Sequence, residues 1–570
     1  MNPRPILLTL GLVLSTQAVQ AQEPTRQPLN FGGEMGTFSE LYGISGADQR
    51  RPTATGRIYL RPTFSLFGVI NVTGDFVLST EGNRFGAEAR QAINQYSLRP
   101  EWSWGRATIG DFSGSYSPLT YQGVRARGAS LDVERGTFRA GAFGGRSQRA
   151  VPGGAVSGAY ARMLAGGRVG LGDPEGTSLM LVMVSAWDDP NSLPPPPDTL
   201  FADEQPDTLF VQDTLSIGRE NQFAVTPQRN LVLSLAGSLA LLDDRLKVKA
   251  ELAGSGHTRD RRSDRIENEV ILDRIPGLAQ DLFTPRTSTT ADYAYTLEAQ
   301  ARPATPLTTT ITLRNLGPGY VSLGTGSLLS DRREIQVRNA VRYRRIHGTL
   351  EVARQNDNLA GQKTYTTRRN RLGASFTARV TPRWSSSLRL QLATLDNHAP
   401  EPERWIAYES WMVGSRQTFN LGGQNLIRSV SFDYNLRDTG DDNPLRAASE
   451  SRSHTANASV VISPSRILSI TPTAGLVRSR FGDDDWSTRS NLGVGTQLRL
   501  LRGRWTSGLN VGRTHVQQTT AFQVALSSRF QVTSRDAVIL GGRVNRYDHA
   551  MDAERSFREA TLNLRWTHRF

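Results

Sequence analysis

The chain of 570 residues contains no cysteine. Disulfides, thiolate metal sites and lipid attachment through an N-terminal cysteine are thereby excluded. Lysine is confined to Lys247, Lys249 and Lys363, so the formal net charge of +14 is carried almost wholly by arginine. Beyond residue 21 no run of about 20 apolar residues occurs, and no helix can be written that crosses ~30 Å of hydrocarbon. There is no GxSxG elbow and no Walker-type phosphate loop. Histidine occurs only seven times, without metal-ligand spacing, so neither a metal nor another cofactor is expected.

What is present begins with Met1 to Ala21. Arg4 supplies a positive start, Ile6–Leu14 an apolar stretch, and Val19-Gln20-Ala21 a small-residue cleavage site. These are the three parts of a secretory signal, with cleavage expected after Ala21. An exported chain without a helical anchor is periplasmic, extracellular or a barrel in an outer membrane. A pI near 10.3 would suit nucleic acid, but export argues against that partner. The arginines are also scattered along strand registers, which fits a basic lumen or contact with phosphate-bearing lipid better than a DNA-reading helix.

Mean hydropathy of −0.40 and 38% hydrophobic residues read superficially as a soluble protein. Barrels share this composition, because only alternate strand residues face lipid. From about Met35 onward, segments with period-two alternation recur. Leu492, Val494, Thr496, Leu498 and Leu500 alternate with Asn491, Gly493, Gly495, Gln497 and Arg499. Leu372, Ala374, Phe376 and Ala378 alternate with Gly373, Ser375, Thr377 and Arg379. The second face is small and polar, with arginine near the strand ends, as in a water-filled lumen rather than a packed core. Short connections (103–106, 133–136, 242–245, 380–384, 463–466, 501–504) alternate with long ones (146–155, 188–228, 257–290, 315–333, 438–451, 547–556). The pattern gives about 24–26 strands.

The last residues, Phe557 to Phe570, read FREATLNLRWTHRF. Ala560, Leu562, Leu564, Trp566, His568 and Phe570 fall in one register; Thr561, Asn563, Arg565, Thr567 and Arg569 fall in the other. The terminal aromatic in the apolar register resembles the C-terminal strand of bacterial outer-membrane β-barrel proteins. That resemblance implies an all-β fold: one large antiparallel transmembrane barrel with short periplasmic turns and long outward loops. It also implies that Leu562, Leu564, Trp566 and Phe570 form the signal read by the barrel-assembly machinery, and that outer-membrane lipid is a partner. The expected organisation is a signal peptide at 1–21, a short periplasmic segment at 22–34 and the barrel at 35–570. With the first strand so near the signal, no room is left for the plug domain that precedes the barrel of TonB-dependent transporters, nor for the accessory domains of ushers. Trp102, Trp104, Trp384, Trp505 and Trp566 lie near strand ends, as an interfacial girdle requires.

Function is read more coarsely. A polar, arginine-bearing lumen points to a pore for polar or anionic solutes, with Arg379, Arg499, Arg529, Arg565 and Arg569 facing inward. The alternative is a non-conducting structural, adhesion or secretion-apparatus barrel. The loop 188–228 holds four successive prolines, a repeated PDTLF and the acids Asp198, Asp203, Glu204, Asp207 and Asp213. It is the candidate constriction or lid, set against arginine-rich walls. Ile266, Val270, Leu278 and Leu282 have helical spacing in a second long loop. The runs Asp441-Asp442-Asn443 and Asp483-Asp484-Asp485 lack calcium-loop spacing and are expected as solvated loop acids. Asp548-His549 and Asp396/His398 could form dyads of the kind found in surface-loop hydrolases. Nothing around them calls for catalysis, and the chain is not expected to be an enzyme.

Overall fold

Strands dominate the computed structural model, which describes residues 29–80, 94–151, 158–193, 225–267, 283–326, 328–423 and 425–570. Twenty-six run from β1 (Leu29–Ser45) to β26 (Phe557–Arg569), each antiparallel to the next. The ring closes where β1 pairs with β26, Glu34 opposite Arg569 through to Ser45 opposite Arg558. Closure is what lipid demands: an open edge would leave backbone N–H and C=O groups without partners in hydrocarbon.

The alternation read from the sequence is laid directly onto the wall. Leu372 pairs with Leu392, Leu492 with Ala474, and Leu526 with Leu509, all in the outward register. Exposed leucines such as Leu562 and Leu564, each 48% exposed, would be a liability in water and are the expected surface in lipid. Turns of two to six residues join strands at one end of the barrel. At the other end lie the long connections, up to the 40 residues between β9 (Ser178–Asp188) and β10 (Arg229–Leu241). Trp102, Trp104, Trp384, Trp505 and Trp566 all lie at the turn end, where Trp384 stacks on Phe419 with ring centroids 5.9 Å apart.

β1 begins at Leu29, six residues before the Met35 start read from alternation, so residues 29–34 belong to the wall rather than to a preceding segment. The pattern fails there because Gly32 and Gly33 interrupt it. Gly33 is required by close approach. Its backbone exchanges two hydrogen bonds with Phe570, at 3.0 and 3.1 Å. A Cβ on Gly33 would come within 2.9 Å of the Phe570 ring. That ring stacks on Phe31 at 5.1 Å, so the terminal aromatic seals the seam of the barrel. The signal peptide and residues 22–28 lie outside the described residues.

The two registers make a direct test. Leu562→Arg places a charge near the middle of the lipid face and should cost about 2–4 kcal/mol of unfolding free energy in vesicles. Thr561→Arg, one residue away on the inner face, should cost far less. Equal losses in urea titrations of the two variants would reject the assigned register.

Candidate functional site

A ring of 26 strands encloses more space than side chains from the wall can fill. The inner face solves this differently on its two sides. From β5 (Gly105–Ser117) to β13 (Leu307–Leu316), the inner register is apolar toward the loop end. Phe112, Phe143, Leu164, Val182, Val184 and Ala186 form one cluster there, and Val232, Ala253, Ala294 and Leu316 the wall of a second. These residues are buried because two segments fold inward over them: the three-residue turn between β5 and β6 (Tyr121–Arg135), and the connection 317–331.

The turn reaches across strands that are not its neighbours. Leu119 and Tyr121 are fully buried, and Tyr121 stacks on Phe143 at 4.2 Å. Ser117 Oγ donates to the Glu251 carboxylate on β11 (Leu246–Thr258). Thr120 Oγ1 donates to Ser234 Oγ on β10 at 2.8 Å. Glu251 lies seven residues in from Thr258, about 24 Å along the strand from its loop end at ~3.4 Å per residue. The second segment lies over the first. The Tyr320 hydroxyl donates to the Leu119 carbonyl at 3.0 Å, and Ser322 Oγ to the Thr120 carbonyl at 2.8 Å. Asn230 of β10 satisfies its backbone, donating to the Val321 carbonyl at 2.9 Å and accepting from the Leu323 N–H at 2.9 Å. Each fully buried Leu or Tyr contributes on the order of 2 kcal/mol by area. The buried backbone has partners, as an inward segment needs.

The opposite wall, from β16 (Arg368–Arg379) to β24 (Thr519–Gln531), has no such cover among the described residues. Its inner face is built from small polar residues and glycine. A depression of about 520 Å³ is lined by Arg416, Thr418, Ser431, Asp433 and Asn457 among others. Another of about 500 Å³ holds Thr471, Gln497, Asn510, Gln523 and Ser527. Glycine and asparagine pair across strands, Gly414 with Asn435 and Gly475 with Asn457. A Cβ on Gly414 would meet Asn435 Oδ1 at 2.4 Å, so glycine lets the amide lie flat and the wall stay thin. Arg416 pairs with Asp433 at 3.2 Å. Arg389, Arg437, Arg489, Arg499 and Arg529 on the same face form no ion pair with a carboxylate among the described residues.

Arg379, Arg499, Arg529, Arg565 and Arg569 stand in the register opposite the exposed leucines, within a few residues of the turn end. They form a fringe there rather than a mid-barrel ring, and Arg569 reaches Glu34 at 3.6 Å. Asp198, Asp203, Glu204, Asp207 and Asp213 lie outside the described residues, as do Val270, Leu278 and Leu282. Where the 188–228 loop leaves the wall, Asp188 is buried and pairs bidentately with Arg162 at 2.7 and 3.0 Å.

Two expectations change. The inner face was expected to be polar throughout, and toward the loop end it carries two apolar clusters between β5 and β13. The signal was in β9, SLMLVMVSAWD, where Met180, Val182, Val184 and Ala186 are apolar in the register that should have been polar. Such a strand is apolar on both faces, one toward lipid and one under cover. Asp441 and Asn443 are also not solvated. Asp441 accepts from the Ala407 N–H at 3.2 Å and pairs with Arg446 at 3.1 Å, while Asn443 donates to the Pro402 and Trp405 carbonyls. Two neighbouring loops pack together there, and these side chains replace the missing backbone ladder. Asp483, Asp484 and Asp485 are exposed. Asp548 is taken up by Arg546 at 2.9 Å, one register away from His549. Asp396 and His398 do meet at 3.0 Å, with His398 73% exposed on the rim.

The inward connection ends in a clasp. Lys363 contacts Asp331 at 2.5 Å and Asp357 at 3.1 Å, and Asp331 also accepts from the Leu359 N–H at 2.8 Å. Burial raises the Asp331 carboxyl, but the hydrogen bonds from Lys363 and from the Leu359 and Asn358 backbone outweigh it and hold the group below its ordinary value. The bond to Asp331 holds the Lys363 ammonium above its own. A depressed carboxyl stabilises above its unfolded pKa and loses this as pH falls; a raised ammonium stabilises below its unfolded pKa and loses this as pH rises. The clasp therefore holds between about pH 4 and pH 10.

No protein-family model matches the chain, and no curated protein matches its sequence. Solved structures of similar form include an anion-selective porin from Comamonas acidovorans, at 10% identity over 50% of this chain and 93% of that one, with a TM-score of 0.28. The siderophore receptor PirA from Pseudomonas aeruginosa aligns at 9% identity over 96% of this chain and 81% of its own, TM-score 0.39. The translocation pore of the P pilus usher PapC aligns at 9% identity over 95% and 99%, TM-score 0.30. These low scores carry nothing about solute or partner.

Two outcomes are expected. Thr120→Cys with Ser234→Cys, in a chain without native cysteine, should form a disulfide on mild oxidation, seen as a mobility shift that reductant reverses. A spin label at Leu329 should gain mobility below about pH 4, and Lys363→Gln should show that mobility at pH 7. An unchanged spectrum in both cases would remove the clasp.

Proposed function

We propose that the chain is a pore of the bacterial outer membrane that passes polar solutes and favours anions, its turn end facing the periplasm. The observation that carries this is the wall from β16 to β24, uncovered among the described residues: a polar surface of Ser, Thr, Asn, Gln and Gly, with arginines that have no carboxylate partner among those residues. A water-filled passage lined this way concentrates anions along it and repels cations. The inward segments narrow the lumen from the other side and would set its width, with the apolar clusters as their anchor. The acids of the 188–228 loop, if they fold over the mouth, would oppose the arginines across the passage. Leu562, Leu564, Trp566 and Phe570 serve insertion, as the seam at Gly33 and Phe570 suggests.

A barrel that conducts nothing, serving adhesion, surface structure or secretion, is the second reading. The well-packed inward segments favour it, since they already occupy part of the lumen. Catalysis has little support, because Asp548 and His549 are not brought together and the Asp396–His398 pair stands on an open rim.

Planar-bilayer conductance under a salt gradient separates these. The pore reading expects discrete steps with a reversal potential on the anion side. Arg389→Gln with Arg437→Gln should shift that potential toward zero, and deletion of 318–330 should raise the step size. Correctly folded protein that never conducts would reject the pore.

A further inference from the structure

The outward face of the last strands is apolar only up to a point. Near the loop end its register turns basic. β20 (Ser451–Ile462) carries Arg452, β21 (Leu468–Phe481) carries Arg478 and Arg480, and β23 (Trp505–Val516) carries Arg513. β25 (Asp536–His549) adds Arg546, and β26 adds Arg558. None lies more than three residues from the loop end of its strand. These are not lumen residues: Arg478 follows Leu476 by two positions and Arg513 follows Val511, and both predecessors are in the outward register. All six are exposed.

Their pairing is unfavourable as it stands. Arg452 lies directly opposite Arg480, and Arg546 directly opposite Arg558. Like charges at cross-strand positions repel at ~5 Å between Cβ atoms. Asp438 compensates Arg452 at 2.5 Å, and Asp548 compensates Arg546 at 2.9 Å. Arg478, Arg480, Arg513 and Arg558 have no carboxylate partner among the described residues. Arg478 and Arg480 instead lie over the Trp486 ring, 4.9 and 5.7 Å from its centroid. A cluster of this kind is stable when an external anion takes the open guanidinium forks.

Directly below it the lipid-facing surface is concave. A groove of about 500 Å³ runs down β20 to β24, with Ala458, Pro472 and Ala474 as its floor and Leu492, Val494 and Phe522 along its side. Arg513 forms part of its lining at the upper end. Small side chains between large ones make the trough, and it is almost wholly apolar. An apolar trough opening to hydrocarbon and crowned by unneutralised guanidiniums fits one chemistry: an acyl chain below, phosphate above.

We propose that this face binds a phosphorylated, multiply acylated glycolipid of the outer leaflet, its phosphates on Arg478, Arg480 and Arg513 and one acyl chain in the groove. The site uses arginine because a planar fork can hold phosphate through two parallel hydrogen bonds. It rests on the loop end facing outward, and is independent of whether the lumen conducts.

Native mass spectrometry of the intact, detergent-extracted barrel tests it. The probes are bisphosphorylated lipid A, its dephosphorylated form, phosphatidylglycerol and inorganic phosphate. The bisphosphorylated lipid should be retained roughly tenfold more tightly than the dephosphorylated one, as charged hydrogen bonds of this kind allow. The triple change Arg478→Gln, Arg480→Gln, Arg513→Gln should remove that preference. Ala474→Phe, which fills the groove and leaves every arginine in place, should weaken retention on its own. Heat-modifiable migration like that of the unaltered chain establishes that these variants fold. Equal retention of phosphorylated and dephosphorylated lipid, equal retention by the triple variant, tighter binding of phosphatidylglycerol, or displacement by inorganic phosphate alone would each overturn the proposal.

Discussion

Backbone hydrogen bonding in hydrocarbon is the constraint on which the rest of the structure depends. Water cannot satisfy an edge there, so the sheet must close, and it does so through β1 and β26 with Phe570 seated against Gly33. Closure at 26 strands then creates a second problem. The wall encloses a space too wide for its own side chains, and that space has to hold either water or protein. This chain does both. The apolar clusters on the inner face of β5 to β13 are covered by two inward segments, and the small polar face of β16 to β24 has no cover among the described residues.

The covered side is specified by more than hydrophobicity. Glu251, Ser234 and Asn230 sit in the inner register among Val232 and Ala253, and they meet the hydroxyls and backbone of the segment that descends onto them. Apolar area supplies most of the stabilisation, and the polar contacts fix where the segment lands. On the open side the design is subtractive: glycine opposite asparagine keeps side chains off the passage. Arginine is placed twice, on the inner face and outward at the loop end, and lysine is nearly absent from both.

The closed fold was legible because period-two alternation and a terminal Phe570 are local signals, and the strand count follows from counting turns. The seam was less so, since Gly32 and Gly33 carry no alternation and their role depends on a residue more than 500 positions away. Apolar inner faces were the larger omission. Alternation in β22 (Ser487–Leu500) or β16 shows which face is wet, but β9 is apolar on both, and a single sequence does not say what covers the second face. The turn that does so is three ordinary residues, Pro118-Leu119-Thr120, whose partners on β10 and β11 are more than 100 residues distant. The outward arginines escaped for another reason: they share the register of the lipid-facing leucines, and only their height at the loop end makes a charge there acceptable.

Cysteine accessibility tests the two-sided lumen most directly, in a chain that has none of its own. Single cysteines would replace Ser375, Asn457 and Asn510 on the open wall, and Val184, Ala253 and Ala294 under the inward segments. Each variant would be folded in vesicles and exposed to a charged, membrane-impermeant thiosulfonate. Rapid labelling of the first three and protection of the second three, relieved on deleting 318–330, is the expected result. Equal labelling at all six would mean that the inward segments do not cover the wall, and equal protection that the lumen holds no water.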